Sequence, residues 1–226
     1  MRPAISIFAI IIFSTIITSC SKDEEKLSFP LQTRFISLEN QEAIRVFTKS
    51  GEITDPAVVK RFTSGSEYFG TSYSPLDKSG IITFQTDSTA LLGASSQFYR
   101  ASKTDGRITL SSDFAITDAS SNYPIGGFLD LYRLWKNAEP VEKTPLGLGQ
   151  TLYKGKYLIV LYGDYSSFKL PALSFKIKRT MSTSTVPPAV NIQSGVAFNE
   201  FNAEYLNTLR ENDTVAVQQS WLRFKK

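Results

Sequence analysis

Histidine is absent from the sequence, and cysteine occurs once, as Cys20. The lack of histidine excludes the Ser-His-Asp and Cys-His catalytic sets, the HExxH zinc helix and histidine-based acid–base chemistry. The lack of a second cysteine excludes an intrachain disulfide. An enzyme built on this chain would have to use carboxylates, Tyr, Lys or Ser, or a hard cation held by oxygen ligands. Because no such set is recognisable, we predict no catalytic residue, no metal site and no cofactor.

Long runs of one charge are absent too. The formal net charge is +4, but the basic residues are scattered along the chain. The short Lys-Arg clusters at 176–179 and 223–226 lie at the ends of predicted strands. A nucleic-acid-binding surface normally carries a basic block or stripe. The sequence therefore predicts no nucleic-acid partner.

The longest apolar run, residues 4–17, is too short to cross a bilayer. It has 14 residues, whereas a transmembrane helix needs about 20. Arg2 precedes the run, and Cys20 and the charged segment 21–26 follow it. A basic start, a short apolar middle and small residues before a cleavage point are typical of a secretory signal. We predict a signal peptide over residues 1–19.

The end of this signal is Ile17-Thr18-Ser19-Cys20, which resembles the bacterial lipobox. Ile17 stands where Leu is the first choice. The resemblance implies that Cys20 is diacylated on its thiol, that cleavage precedes it, and that its new amino group is acylated. Each buried CH₂ contributes about 0.8 kcal/mol, so two or three palmitate-type chains hold a protein stably in a membrane. The alternative is an ordinary secretory signal that ends at an incidental cysteine.

The segment after Cys20 bears on which membrane holds the protein. Ser21 is not the Asp that retains lipoproteins in the inner membrane. Lys22-Asp23-Glu24-Glu25 is similar to the tether of surface-displayed lipoproteins of Bacteroidota. The stretch from Val46 to Val59 resembles a strand–turn–helix opening of uncharacterised lipoproteins from the same group. We predict an outer-membrane lipoprotein. The alternative interpretation of residues 20–28 is a plain solvated linker. Whether the protein faces the cell surface or the periplasm stays open.

The rest of the chain predicts a mainly β domain over residues 29–226. Sixteen Phe and ten Tyr favour strands over a helical bundle. Short β-type runs separated by Gly, Asp and Ser are typical of an antiparallel sandwich or barrel. Hairpin turns are predicted at 104–106 and 163–164. The predicted strands are 34–38, 43–48, 81–86, 89–92, 97–101, 107–111, 156–162, 165–170, 173–178 and 214–224.

One to three short helices are expected among these strands. Asp55 can cap a helix over 56–63 and Pro56 suits its first position. A second helix is predicted at 199–209. An apolar stripe of Phe128, Leu131, Tyr132 and Trp135 indicates a third at 126–136. Residues 180–188 are predicted to form a polar loop.

The candidate functional side chains each have a plainer interpretation. Glu200 and Glu204, one predicted helical turn apart, could share a cation or a proton, or form a solvated helix face. A carboxylate pair for glycoside hydrolysis could come from Asp113, Asp118 and Asp130, if their separation were right. Five aromatic residues could stack on sugar rings or fill a core: Trp135, Tyr153, Tyr157, Tyr162 and Tyr165.

Two triplets resemble the O-glycosylation site of exported Bacteroidota proteins. They are Asp87-Ser88-Thr89 and Asp213-Thr214-Val215. Thr214 begins a predicted strand, where a glycan would be awkward, so Ser88 is the candidate. Taken together, the sequence predicts a lipid-anchored, non-enzymatic binding or structural module with an unknown protein or glycan partner. The alternative is a carboxylate-dependent hydrolase of polysaccharide.

Overall fold

The computed structural model describes residues 27–70, 80–93, 98–117, 125–180 and 190–226, with backbone alone at 125 and 126. The predicted signal, Cys20, most of the predicted tether and residues 181–189, which cover most of the predicted polar loop, lie outside these ranges. Helices are α1 (Pro56–Thr63), α2 (Ile125–Leu134) and a 3₁₀ helix (Ala203–Thr208). The strands are β1 (Leu31–Glu39), β2 (Arg45–Thr48), β3 (Gly51–Ile53), β4 (Ile81–Phe84), β5 (Thr89–Leu92), β6 (Phe98–Thr104), β7 (Arg107–Thr117), β8 (Glu142–Gly147), β9 (Gln150–Asp164), β10 (Ser167–Thr180), β11 (Val190–Ala197) and β12 (Thr214–Lys225). Within the described ranges, no helix has the length and apolar character needed to cross a membrane.

Eight of the strands close into an antiparallel barrel, which confirms the predicted fold class. Their order is β10-β9-β7-β6-β5-β4-β1-β12, and β12 pairs with β10 to close the ring. Alternate side chains point inward, as the period of a strand requires. Ile108 and Leu110 on β7 and Leu222 and Phe224 on β12 are therefore buried. The Phe168 and Phe224 rings stack at 5.1 Å between centroids inside the barrel.

Strands β10 and β12 extend beyond the end of the barrel, where they form the centre of a second sheet. Beyond the barrel they continue into the order β11-β10-β12-β2-β3. A second hydrophobic core joins this sheet, through Leu173 and Val217, to Leu134 of α2 and Tyr205 of the 3₁₀ helix. On the other face, Lys176 donates to the carbonyl of Phe62 in α1 at 2.7 Å. One pair of strands thus holds both cores together.

Strands β9 and β10 separate soon after the turn that joins them. They pair only between 162–164 and 167–169. Beyond that point, β9 runs between β7 and β8, whereas β10 runs between β12 and β11. The segment after α2 lies between β9 and the chain that follows β11, because Ala138 bridges Tyr157 of β9 and Trp135 bridges Phe201. This separation creates the space in which the candidate site lies.

Two of the three helix predictions are confirmed. Helix α1 starts at Pro56, and the Asp55 carboxylate accepts from the backbone N–H of Ala57 at 2.8 Å. Helix α2 corresponds to the prediction at 126–136. The prediction at 199–209 is too long: Asn199 to Asn202 precede a 3₁₀ helix of six residues. The Asn202 side chain accepts from the N–H of Glu204, so it is the cap of a helix that begins after it.

One hairpin turn is confirmed and the other is misplaced by two residues. Asp105 and Gly106 both have positive φ, 38° and 72°, as a two-residue turn of this kind requires. The predicted turn at Gly163-Asp164 is wrong, because β9 continues to Asp164 and the turn is Tyr165-Ser166. The Asp164 carboxylate explains the shift: it accepts from the backbone N–H groups of Ser166 and Ser167.

Candidate binding site

Helix α2 packs its aromatic stripe against β7 and β9 beyond the barrel. Five rings form an aromatic cluster: Phe114, Phe128, Tyr132, Trp135 and Tyr157. The Phe114 centroid lies 5.1 Å from that of Phe128 and 4.8 Å from that of Tyr157. Edge-to-face and tilted pairs at such distances are favourable. The cluster holds α2 and the segment that follows it in the space between β9 and β10.

Tyr132 ties this helix to its surroundings with its hydroxyl group. The hydroxyl donates to the carbonyl of Lys156 on β9 at 2.8 Å and accepts from the N–H of Glu139 at 3.1 Å. Burial raises the pKa of the Tyr132 hydroxyl, and its hydrogen bonds with the backbone of Glu139 and Lys156 act against that rise. The group therefore stays neutral and keeps the segment after α2 in place.

A groove of about 670 Å³ lies beside this segment. Its floor is aromatic and only partly accessible: Trp135 is half-buried, whereas Tyr132 and Tyr205 are buried beneath it. Its rim is charged and includes Arg133, Lys143 and Glu204. Such a combination of aromatic floor and polar rim can hold a ligand with both apolar and polar faces.

A smaller pocket of about 270 Å³ lies on the barrel side of Trp135. Tyr99 and Ile159 from the barrel core line it together with Tyr157, while Val196 and Phe198 cover it from β11 and the residue after it. Burial raises the pKa values of the Tyr99 and Tyr157 hydroxyls. We call this space the mouth pocket, because it lies at the end of the barrel opposite the β9–β10 turn.

Trp135 lies between the two spaces and lines both of them. Its indole N–H is buried and has no hydrogen-bond partner among the described residues. Ring contacts with Tyr132 at 5.5 Å and Tyr157 at 6.0 Å fix its orientation instead.

No protein-family model, curated protein or solved structure matches the chain. What the site can do therefore has to be argued from its own residues. In the described parts of the chain, no three His, Cys, Asp or Glu side chains are grouped to hold a metal ion.

Glu200 and Glu204 do not form the predicted pair. Glu200 precedes the 3₁₀ helix, where it accepts a hydrogen bond from the Tyr162 hydroxyl and forms an ion pair with Lys136 at 3.0 Å. Glu204 lies instead at the rim of the groove. Burial raises the pKa of the Glu200 carboxyl, but the hydrogen bonds from Tyr162 and Lys136 outweigh it and hold the pKa below its usual value. Burial, followed by the hydrogen bond to Glu200, raises the pKa of Tyr162 to about 12.

The three aspartates proposed for hydrolysis are not brought together as a pair. Asp113 on β7 is exposed and paired with Arg100 at 3.2 Å. Asp130 on α2 is paired with Arg179 at 3.1 Å. Asp118 lies outside the described residues. Each described candidate thus forms an ion pair with an arginine.

Arg179 is a partly buried centre of hydrogen bonds that the sequence did not indicate. It donates to Asp213 at 2.6 Å, to Asp130 at 3.1 Å and to the Tyr205 hydroxyl at 3.1 Å. Burial raises the pKa of Tyr205 to about 12. Burial also raises the pKa of Asp213, but hydrogen bonds from the backbone of Arg210 and from Arg179 outweigh this and lower it overall. Separations of 34 and 49 residues leave no local signal for this network.

The five aromatic residues proposed for stacking do not converge on one surface. Tyr165 is buried in the barrel against Phe84, at 4.9 Å between centroids. Tyr162 packs against Trp221 at 5.3 Å on the outer wall. Tyr153 lies on the projecting part of β9, beneath Lys143. Only Trp135 and Tyr157 belong to the site.

Ser88 lies in the exposed turn between β4 and β5. Its hydroxyl is 3.2 Å from that of Thr86, and its carbonyl accepts from the N–H of Ala101. Thr214 is paired on both sides, with Thr48 and with Lys178. An enzyme could reach the Ser88 hydroxyl, so its glycosylation stays a prediction.

Proposed function

We propose that the protein is a lipid-anchored, non-enzymatic binding module of the outer membrane, whose groove beside Trp135 holds a glycan of the cell envelope. The signal over 1–19 and the lipobox at Cys20 support the anchor. The groove, with its aromatic floor and charged rim, supports the binding role and is the observation on which the proposal rests. A purely structural envelope role would not need such a groove.

The position of the groove suits an anchored binding protein. The chain enters the barrel beside the β9–β10 turn, where Phe29 packs on Tyr165 at 5.6 Å between centroids. Strand β9 leaves this end, and Tyr157, which bridges Ala138, lies about 23 Å along it from Asp164 at roughly 3.3 Å per residue. A membrane anchor on Cys20 would therefore hold the chain at the end of the barrel away from the groove.

The acidic residues support binding rather than hydrolysis. Glycoside hydrolysis requires two carboxyl groups that face each other across the scissile bond at a defined separation. Asp113, Asp130 and Glu200 instead form ion pairs with Arg100, Arg179 and Lys136. The carboxylates that the sequence suggested are thus occupied in stabilising the fold.

The charges at the rim favour acidic sugar units. Lys136 is already paired with Glu200, and Glu139 with Lys156 at 3.2 Å. Arg133 and Lys143 line the groove together with Glu204. Arg133 lies 4.0 Å from Asp130, which Arg179 already holds at 3.1 Å. An exposed ion pair contributes about 0.2–1 kcal/mol, so two cations together change the affinity for an acidic glycan by roughly two- to thirtyfold.

A glycan-binding measurement tests this proposal. Full-length protein in detergent micelles is titrated with acidic and neutral envelope polysaccharides in a calorimeter. We expect binding of the acidic forms that weakens by roughly two- to thirtyfold in Arg133→Ala/Lys143→Ala. The control Lys60→Ala/Arg61→Ala removes the same charge from exposed positions on α1 and should bind as the wild type does.

Two results would contradict the proposal. One is the absence of any glycan binding by the wild-type protein. The other is the release of new reducing ends from a bound polysaccharide, which would favour the hydrolase alternative.

A further inference from the structure

We propose that the mouth pocket is a second binding site, separate from the groove, for a small neutral molecule with a largely apolar body. This inference does not depend on glycan binding in the groove. It rests on three properties of the pocket: its volume, the chemistry of its lining and its place in the barrel.

The volume is large for a packing defect. An apolar cavity of about 150 Å³ is enough to hold benzene. The mouth pocket, at about 270 Å³, has room for two fused rings or an alkyl chain of about ten carbons on the same scale. Protein interiors normally leave few voids larger than a water molecule. Space of this size at the end of a closed barrel is more typical of a ligand site.

The lining selects against charge. None of the described residues that line the pocket is Asp, Glu, Lys or Arg. Its one amide, Asn199, is fully used: it accepts from the N–H groups of Asn137 and Glu200 and donates to the carbonyls of Asn137 and Leu158. A charged ligand would lose its hydration there and would meet only neutral hydrogen-bonding groups among the described lining residues, which costs far more than burying a neutral group.

Two hydroxyl groups supply limited polarity. Tyr99 and Tyr157 line the pocket, and burial keeps both phenols neutral by raising their pKa values. A neutral phenol can donate or accept a hydrogen bond. The pocket therefore suits an apolar molecule with one neutral polar group, such as a ketone, rather than a carboxylate.

The ligand could be aromatic or aliphatic, and the experiment distinguishes the two. Full-length protein in lipid vesicles is photolabelled with diazirine derivatives of acetylnaphthalene and of decanone. Naphthoate and decanoate derivatives are the charge-bearing counterparts. Labelled peptides are identified by mass spectrometry. We expect labels on the pocket walls near 157–159 and 196–198. Each neutral probe should label these walls at least about tenfold more strongly than the anionic probe with the same apolar body.

A pair of phenylalanine substitutions on β11 tests the location. Val196→Phe places a ring in the pocket and should lower labelling at least about tenfold, because an occupied cavity cannot hold a ligand. Ile192→Phe is the matched control: Ile192 is on the same strand, 58% exposed and not part of the lining. Since Val196 does not line the groove, glycan binding should be unchanged in both variants.

A third variant covers the case in which Val196→Phe unfolds. Val196→Ala enlarges the pocket, so labelling should shift from the decanone probe toward a longer dodecanone probe. The proposal is overturned if neutral probes do not label the pocket walls, if the anions label them equally, or if neither substitution at Val196 changes labelling. A loss of glycan binding with intact labelling would count against the groove alone.

Discussion

At the scale of single residues, Arg179 connects the segments of the second core. Its guanidinium reaches Asp130 on α2, Tyr205 in the 3₁₀ helix and Asp213 before β12. The Asp213 side chain is only 1% exposed. A buried carboxylate without its cation is costly, since neither water nor a partner then compensates its charge.

We therefore expect Arg179→Met to destabilise the fold by about 3–5 kcal/mol. The free energy of unfolding from urea titration measures this loss. The control is Arg100→Met, which breaks an ion pair whose side chains are 79% and 60% exposed and should cost about 0–1 kcal/mol. Equal losses in the two variants would show that Arg179 has no special role.

The raised pKa values of two tyrosines give a pH dependence at the residue scale. Tyr162 and Tyr205 have pKa values of about 12 in the folded protein, against an ordinary 10.0. A group whose pKa is higher in the folded state binds its proton more tightly there, so its contribution to stability is complete below pH 10 and is lost between pH 10 and 12.

We expect the free energy of unfolding to fall over this window, and to fall less in Tyr205→Phe. Absorbance of the phenolate should show one late-titrating group fewer in that variant. A wild-type titration in which every tyrosine ionises near 10 would contradict the burial of both hydroxyls.

At the scale of elements, the packing of α2 depends on a glycine in the facing strand. Gly155 on β9 pairs with Phe114 on β7, and a Cβ at this position would lie 2.6 Å from the Phe114 ring. Glycine thus leaves space for the ring, which in turn packs against Phe128 and Tyr132 of α2.

We expect Gly155→Ala to destabilise the protein by about 1–3 kcal/mol, because the added methyl group displaces Phe114 from the aromatic cluster. Thermal unfolding and near-ultraviolet circular dichroism report the change. Gly195→Ala is the control, since its Cβ would lie 3.3 Å from Phe175 and smaller movements accommodate it. If Gly155→Ala is as stable as Gly195→Ala, the packing argument fails.

The elements also show how far local patterns predict this fold. Helix α1 and the Asp105-Gly106 turn follow from a capping aspartate, a first-turn proline and a glycine at positive φ, all of which act within a few residues. The observed turn and 3₁₀ helix begin later than the predicted turn at 163–164 and helix at 199–209. In each case a side chain, Asp164 or Asn202, accepts a hydrogen bond from a backbone N–H two residues later and fixes where the element begins. Such bonds compete with regular structure and leave little trace in the apolar pattern.

At the scale of the whole molecule, the anchor at Cys20 is the main prediction. Cys20→Ala removes the thiol that the lipobox would supply, so we expect the protein to leave the membrane fraction or to keep its signal peptide. Membrane fractionation and the intact mass of the protein measure both outcomes. Ser21→Ala is the control and should be processed as the wild type is. An alanine variant at Cys20 that is still acylated and membrane-bound would refute the anchor.

Local chain patterns suffice for the mainly β class, α1 and most strands, because alternation, capping and turn chemistry act between near neighbours. The export signal is likewise read from a local pattern and stays a prediction. The two candidate ligand spaces and the Arg179 network arise from long-range pairing. Strand β10 pairs with β12 to close the barrel, β9 separates from β10, and Trp135 bridges Phe201. Each of these features depends on residues far apart in the chain. Such contacts depend on how complete faces pack together, so no short stretch of sequence contains them.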